Sequence, residues 1–274
     1  MKKFEVKDHA PSLLPDSYDF ELIWSDEFDG DTLDETKWDY RLCMMGKRHP
    51  AWTDKGVKIE NGCAVFSIFE ENGEIVSSQL QTGYNFMDQP VEKTTFGRDH
   101  LQWQIGKLHE NKFTHKFGYY ECYCKLQQLP GWWSAFWIQS PIIGASLDSK
   151  KTGTEIDVME CFKPDGTIAA HNAFTGGYGL DMHRAKVGGK QVDPSEFHYF
   201  GLLWLPDKYV FYIDGVEDGV ITDHLSHTEE FILISTETKG YRHEDHLPTA
   251  EAKATAKVGD QFLVDHVRVF DIKQ

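Results

Sequence analysis

Short segments rich in aromatic and β-branched residues recur from one end of the chain to the other. No long stretch shows the three-to-four-residue apolar period of an amphipathic helix. Phe20 to Trp24, Cys63 to Phe69, Glu74 to Thr82, Leu101 to Ile105, Phe117 to Leu126, Trp132 to Gln139, Glu155 to Phe162, Phe197 to Leu205, Tyr209 to Asp214, Phe231 to Thr236 and Phe262 to Phe270 all read as strands. Between them stand Asn61-Gly62, Asn72-Gly73, Asp165-Gly166, Asp214-Gly215 and Asp218-Gly219, pairs favoured where the backbone must take positive φ. The chain is therefore predicted to be all-β and built from antiparallel hairpins, of which Lys208 to Thr222 around Asp214-Gly215 is the clearest. So many strands in 274 residues fit two antiparallel sheets packed as a sandwich or jelly roll better than a barrel. Residues 1–19 read as an N-terminal extension and 20–274 as a single domain. Thr82 to Asp99, Pro141 to Gly153 and Leu180 to Ser195 read as long loops, which in a compact domain usually form functional rims.

Charge and composition exclude several functions. Lys and Arg total 28 against 44 Asp and Glu, and the net charge of -16 repels phosphate backbones and anionic lipid surfaces, so neither nucleic acid nor membrane is expected as a partner. Aromatic residues make up 14% of the chain, more than a core of this size requires, which assigns some rings to the surface. The five cysteines show neither zinc-type spacing nor a disulfide framework. Cys122 and Cys124 share one strand face about 6.5 Å apart, marginal for a disulfide. The start, Met1 to Asp8, has no following apolar run, so no secretion signal or membrane span is read there; the chain is either cytoplasmic or has lost a signal. Arg242-His243-Glu244-Asp245-His246 lacks the helical order of a zinc protease and reads as a solvated rim loop. Nucleophile-elbow, phosphate-loop and dinucleotide motifs are missing, which leaves esterase, kinase and dehydrogenase readings without support.

The segment Glu155-Ile156-Asp157-Val158-Met159-Glu160 carries the chemistry. Strict alternation would put Glu155 and Asp157 on one face and Glu160 on the other, inside the core. An ionised carboxylate there is costly, so either Glu160 is held protonated or a β-bulge around Val158-Met159 returns it to the face of Glu155 and Asp157. The bulge is the preferred reading. It aligns three acids whose mutual repulsion separates acid from base roles. Retaining glycoside hydrolysis needs one carboxylate nucleophile and one carboxyl acid/base about 5–5.5 Å apart, which two long Glu side chains on a bulged strand can reach.

Aromatic platforms bind the C–H faces of sugar rings, and Trp132 to Ile138 supplies them: Trp133, Ala135 and Trp137 share one face, with one set in the core and the other lining a cleft. Trp52 and Trp103 are weaker cleft candidates. In Phe117 to Leu126, Tyr119, Glu121, Tyr123 and Lys125 form a polar aromatic face, and Tyr120, Cys122, Cys124 and Leu126 a buried one.

These residues resemble glycoside hydrolase family 16, the β-jelly-roll endoglycanases, over nearly the whole chain. Trp24 to Gly30 with Leu33-Asp34 and Lys37-Trp38 is similar to that family's first strand, Phe117 to Trp137 to its central strands, and Phe262 to Phe270 to its closing strand. Glu155 to Glu160 is similar to its longer, bulged signature. The resemblance implies a concanavalin A-like jelly roll with a cleft on the concave face, Glu155 as nucleophile, Glu160 as acid/base, and Asp157 between them tuning the nucleophile. It implies that Glu121 and His171 reach the central sugar, with Trp133 and Trp137 shaping the subsites and Tyr119 contributing from the same face as Glu121. Arg41, with Lys47 and Arg48, could meet an anionic substrate. It further implies a structural calcium held by Glu27, the Gly62 carbonyl and Asp265, no catalytic cofactor, and a secreted or cell-surface monomer acting on a polysaccharide. The expected substrate is a β-1,3-containing glucan, with a β-galactan of the agarase, porphyranase or carrageenase type as alternative. A sandwich lectin without catalysis is the competing class.

Overall fold

The structure is a computed structural model, and it describes residues 1–44, 46–88, 107–177, 181–238 and 255–273. The predicted strand Leu101 to Ile105, with Trp103, lies outside the described residues, as does Arg242 to His246. Two antiparallel sheets stack face to face. One orders the strands His183–Val187, His171–Thr175, Glu155–Cys161, Trp132–Gln139, Phe231–Thr238, Gln79–Gln81 and Asp39–Tyr40. The other orders Val216–Ile221, Lys208–Ile213, Phe197–Leu205, Gly118–Lys125, Gln261–Ile272, Cys63–Ser67 and Val57–Glu60, with Phe20–Asp26 also paired to Gln261–Ile272. This is the expected sandwich.

Alternation builds the layer between them. Tyr120, Cys122, Cys124 and Leu126 face Phe136, Ile138, Ile156, Val158, Met159 and Cys161 across a single buried cluster. All five cysteines are free, and four of them are buried. The Lys208–Ile213 and Val216–Ile221 hairpin turns at Asp214 (φ 51°) and Gly215 (φ 75°), the type I′ geometry its sequence demands. Two sequence expectations fall short. The region read as a loop from Leu180 contains the edge strand His183–Val187, and His171–Thr175 is a strand whose period was too short to register.

Tyr119 and Glu121 belong to the second sheet, on its outer surface, and not to the cleft. Alternation separates two faces but does not say which sheet a strand joins. The N-terminal hairpin of Lys2–Phe4 and Ser12–Leu14 covers this surface, so that Leu14, Phe20, Tyr119, Leu203 and Phe270 pack together. Glu121 Oε2 accepts a hydrogen bond from Leu13 N at 2.9 Å, and its Oε1 lies 3.4 Å from His266 Nε2.

Two of the three expected calcium ligands, Glu27 and Asp265, are already engaged by other groups. Arg268, fully buried, donates Nε to Glu27 Oε1 at 2.9 Å and Nη2 to Glu27 Oε2 at 2.6 Å, while its Nη1 reaches Ala10 O and Ser12 Oγ. Asp265 Oδ1 is engaged by His266 Nδ1 at 2.8 Å. A guanidinium already neutralises Glu27, and a second cation beside it would be repelled. Arg268→Met should therefore destabilise the protein by about 3–5 kcal/mol in urea unfolding, because it strands the Glu27 charge, whereas the Arg268→Met/Glu27→Leu pair should recover most of the loss. Chelation by EDTA should leave the unfolding midpoint unchanged; a drop on chelation would contradict the cation-free reading.

Candidate active site

The Glu155–Cys161 strand pairs with Trp132–Gln139 in a register that shifts once: Trp137 opposes Asp157, Phe136 opposes Met159, and Val158 is the extra residue. Val158 and Met159 both point into the core, so Glu160 returns to the face of Asp157 and Glu155. A depression of about 230 Å³ is lined by these three acids with Trp133, Ala135, Trp137 and Ser235. The acids are buried at their bases, with relative exposures of 9%, 4% and 7% for Glu155, Asp157 and Glu160. That leaves their working oxygens reachable only from the cleft.

Each acid is held by named donors. Gln139 Nε2 donates to Glu155 Oε2 at 3.0 Å. Glu160 accepts from Trp133 Nε1 at 3.2 Å and from Asn172 Nδ2 at 2.6 Å. Burial holds the Asp157 carboxyl well above the ordinary carboxylate range, with the charges of Glu160 and Glu155 and a hydrogen bond to Glu160 acting in the same direction. Asp157 therefore resists ionisation between its two neighbours, and its hydrogen bond to Glu160 ties it to that acid. Trp137 Nε1 is anchored on Ser235 Oγ at 3.1 Å, and its ring joins Ala135, Phe231 and Leu233 in an apolar floor.

Arg41 lies beside this floor. It is 5% exposed, donates Nε to Asp88 Oδ2 at 2.8 Å, and sits 5.1 Å and 5.2 Å from the Trp52 and Trp137 ring centroids. Asp88 pairs with its charge, and Arg41 lines a second depression with Tyr40, Leu42, Cys43, Gln81, Tyr84 and Asp88. Trp52 is buried beside it and donates to Glu237 Oε2 at 3.2 Å. His171 does not face the cleft: its ring is fully buried between the sheets, with Nδ1 2.7 Å from Val158 O. The sequence reading also missed Gln139, Asn172 and Arg184. Arg184 Nε and Nη2 both donate to Asn172 Oδ1, at 2.9 and 2.7 Å, which orients the amide so that its NH₂ meets Glu160. The alternation of His183-Arg184-Ala185-Lys186-Val187 was the available signal.

An antiparallel sandwich with two glutamates and an aspartate on one bulged strand, floored by tryptophan, is the equipment of a polysaccharide-cleaving hydrolase. Residues 21–272 match the family model described as the GH16 domain of β-porphyranases A–D, and the chain belongs to glycoside hydrolase family 16. Glucan endo-1,3-β-glucosidase A1 of Niallia circulans is 25% identical over 206 residues, 71% of this chain but only 28% of that protein. β-Porphyranase B of Zobellia galactanivorans is 26% identical over 218 residues, 72% of this chain and 66% of that one. The endo-1,3-β-glucanase catalytic domain of Thermotoga petrophila shares the fold at a TM-score of 0.64 and 20% identity, covering 94% of this chain and 100% of that domain.

Beneath the start of the Glu155–Cys161 strand lies a further buried acid. Glu230 Oε1 accepts from Thr154 N at 2.7 Å and from Thr154 Oγ1 at 3.1 Å, immediately before Glu155, while Oε2 meets no hydrogen-bond partner. Burial pushes its pKa from 4.5 up to about 8. A carboxyl raised on folding binds more protons in the folded state, so its contribution to stability falls as pH climbs from the unfolded value through 8. Glu230→Gln should remove that slope and gain on the order of 2–4 kcal/mol over the parent between pH 5 and pH 9. Urea midpoints at both pH values check this, and parallel curves would refute it.

Proposed function

We propose that this protein hydrolyses an anionic β-galactan of porphyran type from within the chain, with Glu155 as nucleophile and Glu160 as acid/base. The observation that carries the substrate class is the edge of the cleft sheet. Phe174 and Asn172, which share a face with Glu155 and Asp157, pair with Arg184 and Lys186. Both cations are exposed on a chain of net charge -16, and Arg184 is linked through Asn172 to Glu160. A cationic rim beside the catalytic acid of an acidic protein suits a substrate that carries its own negative charge. The porphyranase-type family model supports the same reading.

The chemistry follows from the placement. Glu160 protonates the glycosidic oxygen while the Glu155 carboxylate attacks the anomeric carbon, breaking the C–O bond and forming a glycosyl ester. Esterification removes the negative charge of Glu155, so Glu160 is then stable as a carboxylate, held by Trp133 and Asn172, and can take a proton from the incoming water. Water attack releases Glu155 and regenerates the starting anomer. Trp133 and Trp137 offer apolar faces to the sugars on either side. A second reading, hydrolysis of a neutral β-1,3-glucan, draws support from the Niallia relative and from the uncharged floor of Ala135 and Trp137. Either polymer is too large to cross a membrane, which supports an enzyme that acts outside the cytoplasm.

Reducing-end release from porphyran, agarose, κ-carrageenan, laminarin and mixed-linkage glucan tests the choice. Porphyran should be cleaved and Glu155→Gln should abolish release from it. Arg184→Ala/Lys186→Ala should lower kcat/KM on porphyran about tenfold, and by less at high salt. Cleavage of laminarin in preference to porphyran would overturn the galactan reading, and full activity of Glu155→Gln would overturn the mechanism.

A further inference from the structure

The bulge that presents Glu160 leaves a debt in the core: Val158 has no partner on Trp132–Gln139, so its backbone carbonyl lies outside the ladder. His171 supplies the missing donor, with Nδ1 2.7 Å from that carbonyl. The ring is fixed from the opposite sheet. Phe211 stacks on it at 4.5 Å between centroids and 7° between planes, and Asp218 Oδ2 lies 3.1 Å from Nε2. Asp218 Oδ2 also accepts from Gly189 N at 2.6 Å, and a Cβ on Gly188 would stand 2.6 Å from Asp218 Oδ2 and 2.9 Å from His171 Cδ2. Glycine at 188 is therefore required for the aspartate to approach the ring.

The geometry points to His171 as a positioning residue that clamps the Val158 carbonyl and so keeps Glu160 aimed into the cleft. The inference rests on Glu160 being the acid/base. His171 touches neither substrate nor a catalytic carboxylate; it acts through the backbone of the bulge, two residues before Glu160. Without the clamp, the unpaired carbonyl can regain a partner by sliding the strand one residue, which turns Glu160 toward the core. Burial lowers the affinity of this imidazole for its second proton, while the Val158 carbonyl and the Asp218 charge oppose that effect and Lys190 adds to it.

The test compares His171→Leu and His171→Asn, whose side-chain amide can place a donor near the Nδ1 position, with Glu160→Gln as reference. Substrates are porphyran, or the polysaccharide the panel identifies, and an oligosaccharide glycoside of 2,4-dinitrophenol, whose leaving group departs without a proton. Glu160→Gln should lose about 10²–10⁴-fold in kcat/KM on the polysaccharide and little on the aryl glycoside. His171→Leu should show the same selective pattern at roughly 10–100-fold, with a displaced alkaline limb in its pH profile, and His171→Asn should recover most of the loss. Circular dichroism and melting curves confirm that the compared proteins are folded at the assay temperature. Equal losses on both substrates, an unmoved alkaline limb, or no recovery with asparagine would reduce His171 to a core residue and overturn the proposal. If Glu160→Gln itself shows no leaving-group dependence, the acid/base assignment fails separately from the clamp.

Discussion

One extra residue in one strand organises this molecule. A regular strand from Glu155 to Glu160 would carry Glu155 on one side of the sheet and bury Glu160 on the other, where the desolvation of a carboxylate is prohibitive. The bulge at Val158 places two consecutive residues, Val158 and Met159, in the core and turns the phase of everything after them. The same shift that exposes Glu160 also keeps the interior apolar, so packing and catalysis ask for the same backbone. What the bulge costs is a carbonyl outside the ladder, and a histidine buried on the adjacent strand answers that cost.

The acids of the cleft are set apart by their surroundings more than by their identity. Asp157, shortest and most enclosed, has its pKa raised by burial and by both neighbours, while the longer Glu155 and Glu160 reach donors from neighbouring strands: Gln139 for the first, Trp133 and Asn172 for the second. Asn172 is in turn held by Arg184 on the edge strand. Each carboxylate is thus tied laterally across the sheet, and the catalytic row depends on register over four strands. Sheet order, with Glu155–Cys161 between Trp132–Gln139 and His171–Thr175, is what makes those ties short.

The two-sheet architecture, the clear hairpin and the bulge were legible because each follows from local rules: alternation, turn dipeptides, and the cost of a buried charge. The bulge in particular could be located to Val158-Met159 because only an inserted residue reconciles Glu160 with an apolar layer. Which sheet a strand joins is a long-range property, and there the reading failed for Tyr119 and Glu121. Their polar face is real, but it lies beneath the N-terminal hairpin, where Leu13 pairs with Glu121. His171 was assigned to the cleft by resemblance, yet its neighbour Asn172 takes that side, and one residue of phase in a five-residue strand suffices to exchange them. Arg184 escaped notice because a short edge strand rich in charge looks, from composition alone, like a loop.

The outer sheet reaches a different solution to burying charge. Arg268 and Glu27 form a two-point pair that also receives Ala10 and Ser12, so the first residues of the chain are bound to its last strand by the same guanidinium. A metal ion could join distant strands only while its ligands remained deprotonated and free, whereas an arginine is always charged and carries its donors in a fixed fork. The N-terminal hairpin then excludes water from Glu121, His266 and Tyr119, which would otherwise stand as a polar patch on an open sheet. Charge is therefore neutralised internally on the covered face, and the cations left exposed beside the catalytic strand, Arg184 and Lys186, are the ones positioned to meet a ligand. In a chain with so large an acidic excess, an exposed pair of cations at the cleft edge would attract the proposed anionic sugars locally while the acidic surface elsewhere would repel them, favouring binding at the cleft.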